Sequence, residues 1–110
     1  MMDQRVCIIT GANSGIGKAT ALGLARLGAT VVMVCRDQAR GEAAMTEIKT
    51  VTGNPNVDLL LADLSSQAEV RRLAEEFKAH YPQLHVLITN AGVAPVQRSV
   101  TVDGFETVVV

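Results

Sequence analysis

Short apolar runs alternate along the chain with longer segments in which apolar positions recur three or four residues apart. A continuous apolar run bounded by turn residues is typical of a strand that is buried on both faces. Such runs predict four strands, at residues 5–10, Thr30–Cys35, Val57–Leu61 and Val86–Thr89. The helical spacing between them predicts three helices, so strands and helices alternate along most of the chain.

The first two predicted helices are marked by their ends as well as by their spacing. The first runs to Leu27, where Gly28 supplies a stop. One of its faces carries Ile16, Ala19, Thr20, Gly23 and Leu27. The second follows Asp37, which can cap it, and continues to about Thr50 before residues 53–55 break the chain. Its inward-facing residues are predicted to be Ala44, Ile48 and Val51.

The third predicted helix shows a strong contrast between an apolar face and a polar face. Ser66, with Glu69 three residues later, forms a capping-box sequence at its start. Its apolar stripe consists of Val70, Leu73, Ala74, Phe77 and Tyr81. The opposite face carries two charge pairs at i,i+4 spacing, Arg71–Glu75 and Arg72–Glu76. Residues 81–82, Tyr-Pro, end the helix.

Alternating strands and helices predict an α/β fold with a parallel sheet joined by right-handed crossovers. We expect the first two helices to cover one face of the sheet and the third to cover the other. Residues 91–101 read as a loop, and residues 103–106 resemble a helix start that the following valines continue poorly. The 110 residues carry no repeat, linker or low-complexity segment, which predicts a single domain.

Charge and composition exclude several classes of partner. Ten basic and eleven acidic residues give a net charge of −1, so no basic surface for nucleic acid or anionic lipid is predicted. No apolar run approaches the roughly 20 residues that span a bilayer, and the first strand starts too near Met1 to leave room for a leader. We therefore expect a cytoplasmic protein in which Cys7 and Cys35 are buried, reduced thiols.

Residues 10–17, Thr-Gly-Ala-Asn-Ser-Gly-Ile-Gly, join the first strand to the first helix. A strand, a glycine-rich turn and a helix in this order form a cradle for the pyrophosphate of a dinucleotide, because unpaired N–H groups and the helix dipole face the anion. Gly11 permits the tight turn. Gly15 and Gly17 lack a Cβ, which lets phosphates approach and lets the helix pack closely on the strand. The alternative is that all three are ordinary turn glycines.

Residues after the second and third strands add to this interpretation. Cys35 occupies the position where an acid would bind the ribose 2′-hydroxyl of NAD, and Arg36 beside it can pair with the 2′-phosphate of NADP. Asp63 and Leu64 follow the third strand, where the carboxylate can accept a hydrogen bond from the adenine amine. The alternatives are an ordinary exposed arginine and an aspartate that caps the next helix.

The fourth strand ends in residues 90–92, Asn-Ala-Gly, whose small side chains leave room for a cofactor. Asn90 is equally suited to tying strands together by hydrogen bonds. Thr10, before the first glycine, can tie the turn to this same loop.

Over about residues 5–106 the chain resembles the short-chain dehydrogenase/reductase family. The resemblance is carried by three motifs in this order: T-G-x-x-x-G-I-G, Asp-Leu and Asn-Ala-Gly. Residues 35–37, 40–42 and 101–106 (CRD, RGE and TVDGFE) are similar to its retinol dehydrogenase-like branch. The resemblance covers the N-terminal half of such proteins. It implies a partial Rossmann fold of about four parallel strands with helices on both faces, forming an NAD(P)-binding domain over residues 1–110 that is incomplete at its C-terminus. The implied cofactor contacts are Gly11, Asn13, Ser14, Gly15, Ile16, Gly17, Arg36, Asp63, Leu64, Asn90, Ala91 and Gly92.

The resemblance implies NADP(H) as the cofactor, with NAD as the weaker alternative. Thr89 stands where the family usually has a second Asn, a change that suits a strand. Ser14 is not basic, so the second phosphate anchor of some NADP-preferring relatives is missing. Arg36, with help from Arg40, would then determine whether the chain prefers NADP or NAD. The implied reaction is hydride transfer between NADP(H) and a lipophilic alcohol or carbonyl of retinoid-like class.

The family's proton transfer needs a tyrosine, a lysine four residues later and a serine that orients the substrate. The single tyrosine is Tyr81, and His85 stands where the lysine would be. No catalytic residue or metal ligand is therefore assigned, and this chain alone is predicted to be inactive. The alternatives are a non-catalytic nucleotide-binding or interaction module and a fragment without function.

The family's sheet continues past the fourth strand. Without those further strands, the fourth strand would be an unpaired edge beside an exposed apolar patch. The expected consequence is self-association, or a partner that covers this edge.

Overall fold

The computed structural model of the chain describes residues 5–12, 15–81, 83–89 and 96–98. Its elements follow the predicted alternation, with a fifth strand after the fourth. In chain order they are β1 (Val6–Thr10), α1 (Gly15–Arg26), β2 (Thr30–Cys35), α2 (Gln38–Thr52), β3 (Val57–Leu61), α3 (Gln67–His80), β4 (Val86–Thr89) and β5 (Val96–Arg98). The four strands and three helices predicted from the sequence are confirmed, with small shifts at their ends.

The strands form one sheet in the order β3-β2-β1-β4-β5. β1 lies at the centre and pairs in parallel with β2 on one side and β4 on the other, and β2 pairs in parallel with β3. The chain therefore moves outward from β1 in one direction, through β2 and β3, and returns to the other side of β1 for β4. This reversal is the switch point at which doubly wound sheets bind ligands. The predicted α/β class and the four parallel strands are confirmed.

The segment after β4 differs from the prediction. Residues 91–101 read as a loop, but Val96–Arg98 forms β5 and pairs antiparallel with β4. In this pairing Leu87 lies opposite Arg98 and Thr89 lies opposite Val96. A three-residue segment with two polar residues contains no apolar run, so the partner strand and not the local pattern makes it a strand.

The expectation of an unpaired edge at β4 is therefore wrong. The three apolar side chains of β4 that the structure describes, Val86, Leu87 and Ile88, are also buried, so the exposed patch expected beside this strand is not seen on them. Self-association stays a prediction, but an unpaired β4 edge beside an exposed apolar patch no longer supports it. The helix start predicted at residues 103–106 lies outside the described residues.

Helices cover the sheet on both faces, as predicted. Cys7 and Ile9 of β1 face the helices α1 and α2, whereas Ile8 between them faces α3, as the two-residue alternation of a strand requires. The cluster under α1 and α2 includes Ala21, Ala25, Val31, Met33, Ala44 and Ile48. The cluster under α3 includes Val32, Val34, Leu73, Ala74, Phe77 and Leu87.

The buried face of α1 is not the predicted one. Ile16 and Leu27 expose 65% and 48% of their surface, whereas the buried residues of this helix are Gly17, Ala21 and Ala25. Small residues at four-residue spacing let the helix lie close to the sheet. Glycine and alanine carry little hydrophobic signal, so the larger residues on another face gave a misleading pattern.

One residue of α2 also departs from its prediction. Ala44 and Ile48 are buried, but Val51 is 53% exposed. The inward row continues at four-residue spacing to Thr52, which is half-buried, and Val51 lies to one side of that row.

The predicted caps position the starts of α2 and α3. The Asp37 side chain accepts a hydrogen bond from the backbone N–H of Arg40 at 3.0 Å. The Ser66 hydroxyl accepts one from the N–H of Glu69 at 3.3 Å. Each cap satisfies a helix N–H that has no partner within the helix. The caps thus fix the start of α2 at Gln38, soon after β2, and the start of α3 at Gln67, after the turn that follows β3.

Candidate nucleotide-binding site

The carboxyl ends of β1, β2 and β3 lie at one edge of the sheet because the three strands are parallel. A pocket of about 310 Å³ opens there, between the strand ends and the turns that follow them. Its lining includes Gly11, Cys35, Arg36, Asp63, Leu64 and Ser65. The pocket thus brings together predicted cofactor residues from three distant segments of the chain.

Gly11, at the start of the glycine-rich turn, has the positive φ that the sequence predicts for it. Gly11 adopts φ = 62° and Gly15 adopts φ = 60°, values that residues with a Cβ rarely adopt. The N–H of Gly11 donates to the Val34 carbonyl at 3.0 Å, which ties the turn to β2. Within the described part of the chain, no neighbouring heavy atom lies within 4 Å of where a Cβ on Gly15 would stand. The approach to the first turn of α1 is therefore open.

The start of α1 supplies the groups that bind anions. Its first-turn N–H groups have no partner within the helix, and the helix dipole places partial positive charge there. Gly17 is buried, and Ile16 beside it is exposed. Five predicted cofactor contacts lie outside the described residues: Asn13, Ser14, Asn90, Ala91 and Gly92.

Arg36 follows β2 directly and is an exposed residue that lines the pocket. Its guanidinium is a permanent positive charge at the position predicted for the 2′-phosphate. Cys35, where an acid would favour NAD, is 3% exposed. The next acid in the sequence, Asp37, is engaged as the cap of α2. Arg40, predicted to help Arg36, is not among the described residues that line the pocket.

Asp63 lines the same pocket after the end of β3. Its Oδ1 accepts two hydrogen bonds from Ser65, from the N–H at 3.0 Å and from Oγ at 2.7 Å. These bonds, together with the positive charge of Arg36, hold the pKa of the Asp63 carboxyl below its usual range. The ionised carboxylate is a hydrogen-bond acceptor only. The alternative role, capping the next helix, belongs to Ser66.

Two charged residues of α3 hold the turn that carries Asp63, and the sequence interpretation missed their role. Glu69 Oε1 accepts the backbone N–H of Asp63 at 2.8 Å, and Arg72 donates to the Leu61 carbonyl at 2.6 Å. The capping box predicts that Glu69 would accept the N–H of Ser66 instead. That N–H donates to the Asp63 carbonyl at 3.1 Å. The capping-box spacing indicated that the Glu69 carboxylate accepts a backbone N–H, but it predicted the N–H of Ser66 and not that of Asp63.

The single tyrosine lies at the opposite edge of the sheet. Tyr81 stacks on Phe77, with ring centroids 4.9 Å apart, and its hydroxyl donates to Asp58 near the start of β3. Burial raises the pKa of the Tyr81 phenol far above its usual range, and the Asp58 carboxylate adds to this rise. Catalytic proton transfer near neutral pH calls for the opposite shift. His85 is also engaged, since its Nδ1 accepts the N–H of Val6 at 3.0 Å.

The described side chains and backbone fit a dinucleotide. The open first turn of α1 suits a pyrophosphate, and the pocket beside it offers a cation and a carboxylate for a phosphorylated adenosine. Across the same residues, no group of three or more His, Cys, Asp or Glu side chains is placed to hold a metal ion. The helices described also include none with the length and apolar character to cross a membrane.

The chain is similar to known proteins over nearly its whole length. The family model for short chain dehydrogenase matches residues 5–109. Retinol dehydrogenase 12 from Bos taurus is 52% identical over 103 residues, which are 94% of this chain and 33% of that protein. Retinol dehydrogenase 11 from Mus musculus is 49% identical over 102 residues, which are 93% of this chain and 32% of that protein. The chain thus spans about a third of the length of the curated relatives it matches.

Solved structures share the fold. A short chain dehydrogenase from Escherichia coli CFT073, complexed with NADPH, matches with a TM-score of 0.77 and 30% identity over 84% of this chain and 39% of that one. The parallel sheet, the glycine-rich turn and a family match over nearly every residue agree with one another. On these grounds the chain belongs to the short chain dehydrogenase family, and within it resembles the retinol dehydrogenases.

Proposed function

We propose that this chain is the NADP(H)-binding portion of a short-chain dehydrogenase/reductase that transfers hydride between the cofactor and an alcohol or carbonyl. The observation that carries the proposal is the pocket in which Gly11, Arg36 and Asp63 meet. Each of these residues follows a different parallel strand, at the edge where doubly wound sheets bind ligands. The NADPH complex of the Escherichia coli relative supports the same assignment.

The proposed contacts lie along the carboxyl edge of the sheet, and each binds a different part of the cofactor. The N–H groups at the start of α1, next to Gly11 and Gly15, would hold the pyrophosphate. Asp63 would accept a hydrogen bond from the adenine amine. The remaining proposed contacts are Ile16, Gly17 and Leu64, together with Asn13, Ser14, Asn90, Ala91 and Gly92. When bound, NADPH supplies the hydride and NADP accepts it.

Preference for NADP over NAD is proposed from the charges beside the ribose position. Arg36 offers a cation that can form a bidentate pair with a 2′-phosphate. Cys35 offers no carboxylate for a free 2′-hydroxyl, and the Asp37 carboxylate is engaged by the N–H of Arg40. A phosphate therefore gains a charge-assisted pair there, whereas a hydroxyl meets no carboxylate that would accept its proton.

The substrate class is proposed from the relatives. Proteins named retinol dehydrogenase are about 50% identical to this chain, which favours a lipophilic, retinoid-like alcohol or carbonyl.

We propose no catalytic residue on this chain, because Tyr81 is engaged by Asp58 at the edge remote from the pocket. Hydride transfer measured by nicotinamide absorbance is expected to be zero for these 110 residues alone. The alternative is a non-catalytic nucleotide-binding module.

Titration calorimetry with NADP and NAD tests the proposal. Arg36→Ala is expected to weaken NADP binding about tenfold or more, the loss of a charge-assisted contact, and to change NAD binding by less than about twofold. Arg26→Ala is the matched control, because Arg26 is exposed in the last turn of α1, away from the pocket. Equal losses for both nucleotides, or a loss in the control, would reject the assignment of Arg36.

A further inference from the structure

The turn between β3 and α3 is held from outside by two side chains of α3. Pairing between β2 and β3 ends at Cys35 and Leu61, and one further bond joins the N–H of Ala62 to the Cys35 carbonyl at 3.0 Å. Past this point two side chains of α3 bond the backbone: Arg72 donates to the Leu61 carbonyl, and Glu69 accepts the Asp63 N–H.

The two side chains form one unit. Arg72 Nη2 lies 3.4 Å from Glu69 Oε1, the same oxygen that accepts the Asp63 N–H. Arg72 Nη1 pairs with Glu76 Oε1 at 3.1 Å, as the i,i+4 spacing predicts. Arg72 is thus fixed on three sides: by Leu61 in the strand, and by Glu69 and Glu76 in its own helix.

The ion pair between Arg72 and Glu69 does not by itself account for this arrangement. The Arg72 side chain is 51% exposed and the Glu69 side chain 41% exposed, and ion pairs at such exposure contribute little to folding. The helix cap does not need the Glu69 carboxylate either, since the Ser66 N–H that it would accept in a capping box donates to the Asp63 carbonyl at 3.1 Å. What the carboxylate adds is a fixed position for the Asp63 amide.

We infer that Glu69, supported by Arg72, is a positioning residue for purine recognition by Asp63. The inference rests on the proposed function, because it assigns Asp63 to the adenine amine. Glu69 fixes the backbone of Asp63, while the N–H and hydroxyl of Ser65 fix its Oδ1. With both backbone and carboxylate held, the acceptor is preorganised and little ordering remains when a base binds.

A preorganised acceptor distinguishes purines by the group at position 6. Adenine presents an amino donor there, whereas hypoxanthine presents a carbonyl acceptor that the ionised Asp63 cannot bind. Loss of a hydrogen bond to a charged group corresponds to about tenfold or more in affinity. The wild-type chain is therefore expected to bind NADP at least about tenfold more tightly than its deaminated analogue, nicotinamide hypoxanthine dinucleotide phosphate.

The test compares this base preference in three substitutions at α3. Glu69→Ala removes the acceptor for the Asp63 N–H and is expected to lower the preference to about threefold or less. Glu69→Gln keeps an acceptor oxygen at the same place and should retain most of the preference. Glu75→Ala is the matched control, because Glu75 is a glutamate of the same helix that pairs with Lys78 at 3.7 Å, and it should leave the preference unchanged. Thermal unfolding of each variant shows whether the fold is intact.

The outcomes separate this inference from the proposed function. If the wild type prefers adenine and Glu69→Ala keeps the same preference, the positioning role is overturned while NADP binding stands. If the wild type binds neither nucleotide, both proposals fail together. If Glu69→Ala does not fold, the base preference is measured on Arg72→Met instead. This substitution removes the contact with the Leu61 carbonyl but keeps an apolar stem. A reduced preference in that variant supports the inference, and an unchanged preference overturns it.

Discussion

Asn54 is a buried polar residue that the sequence interpretation treated only as part of a chain break. Its Nδ2 donates to the carbonyls of Ala25 and Ala29 at 3.0 and 2.8 Å, and its Oδ1 accepts the N–H of Asn56 at 2.8 Å. One amide therefore satisfies groups at the end of α1 and at the start of β3. A side-chain pattern shows that a turn is present, but it does not show which distant carbonyls the turn will meet.

Asn54→Asp is expected to destabilise the fold by about 2–4 kcal/mol. A carboxylate cannot donate to the two carbonyls, and it places negative charge beside them in a buried site. Chemical denaturation measures the change. Asn56→Asp is the control, because Asn56 is exposed and uses its backbone for the contact. An equal loss in both variants would contradict the role assigned to the Asn54 amide.

Cys7 is predicted to make the fold sensitive to alkali. Burial raises the pKa of its thiol from 9.0 to about 11, although the nearby Arg5 charge opposes the rise. Because the neutral form is favoured in the fold, its contribution to stability is complete below pH 9.0 and is lost as the pH rises towards about 11. Denaturation at several pH values should show an alkaline loss in the wild type that is smaller in Cys7→Ala. Parallel pH curves for the two proteins would contradict this.

At the scale of elements, a glycine inside α1 and the glycine that caps α2 are expected to respond oppositely to the same substitution. Gly53 ends α2 with φ = 71°, a backbone that costs a residue with a Cβ about 1–2 kcal/mol. Gly23 lies inside α1 without positive φ, and an added Cβ would have no described atom within 4 Å apart from its chain neighbours and the backbone of its own helix. Gly53→Ala should therefore destabilise the fold, and Gly23→Ala should stabilise it by about 0.5–1 kcal/mol. Thermal unfolding of the pair checks both signs, and a shared sign would contradict this account.

The elements differed in how much the sequence could reveal. α3 was predicted correctly because its apolar stripe contrasts with charged residues on the other face. Its buried residues are Val70, Leu73, Ala74 and Phe77. α1 was predicted as a helix with the wrong buried face, since Gly17, Ala21 and Ala25 carry little hydrophobic signal. β5 was missed because its pairing with β4, and not its three residues, makes it a strand.

At the scale of the whole molecule, the site forms where segments distant in sequence end together. Gly11, Arg36 and Asp63 could be assigned to one edge from the sequence, because parallel strands place their carboxyl ends side by side. The supporting contacts could not be assigned in this way. That Glu69 reaches Asp63 and that Tyr81 reaches Asp58 depends on how α3 packs against β3, which no local pattern encodes.

The most direct test is the location at which NADP binds, measured by backbone amide shifts in an NMR titration of the ¹⁵N-labelled chain. The largest shifts are expected at Gly11, at Arg36 and at residues 63–65, with little change at His85 and Asn56 on the opposite edge. That pattern, with further shifts at residues 15–17, would place the cofactor across the pocket and over the first turn of α1. Shifts centred on the opposite edge, or no shifts at saturating NADP, would contradict the account.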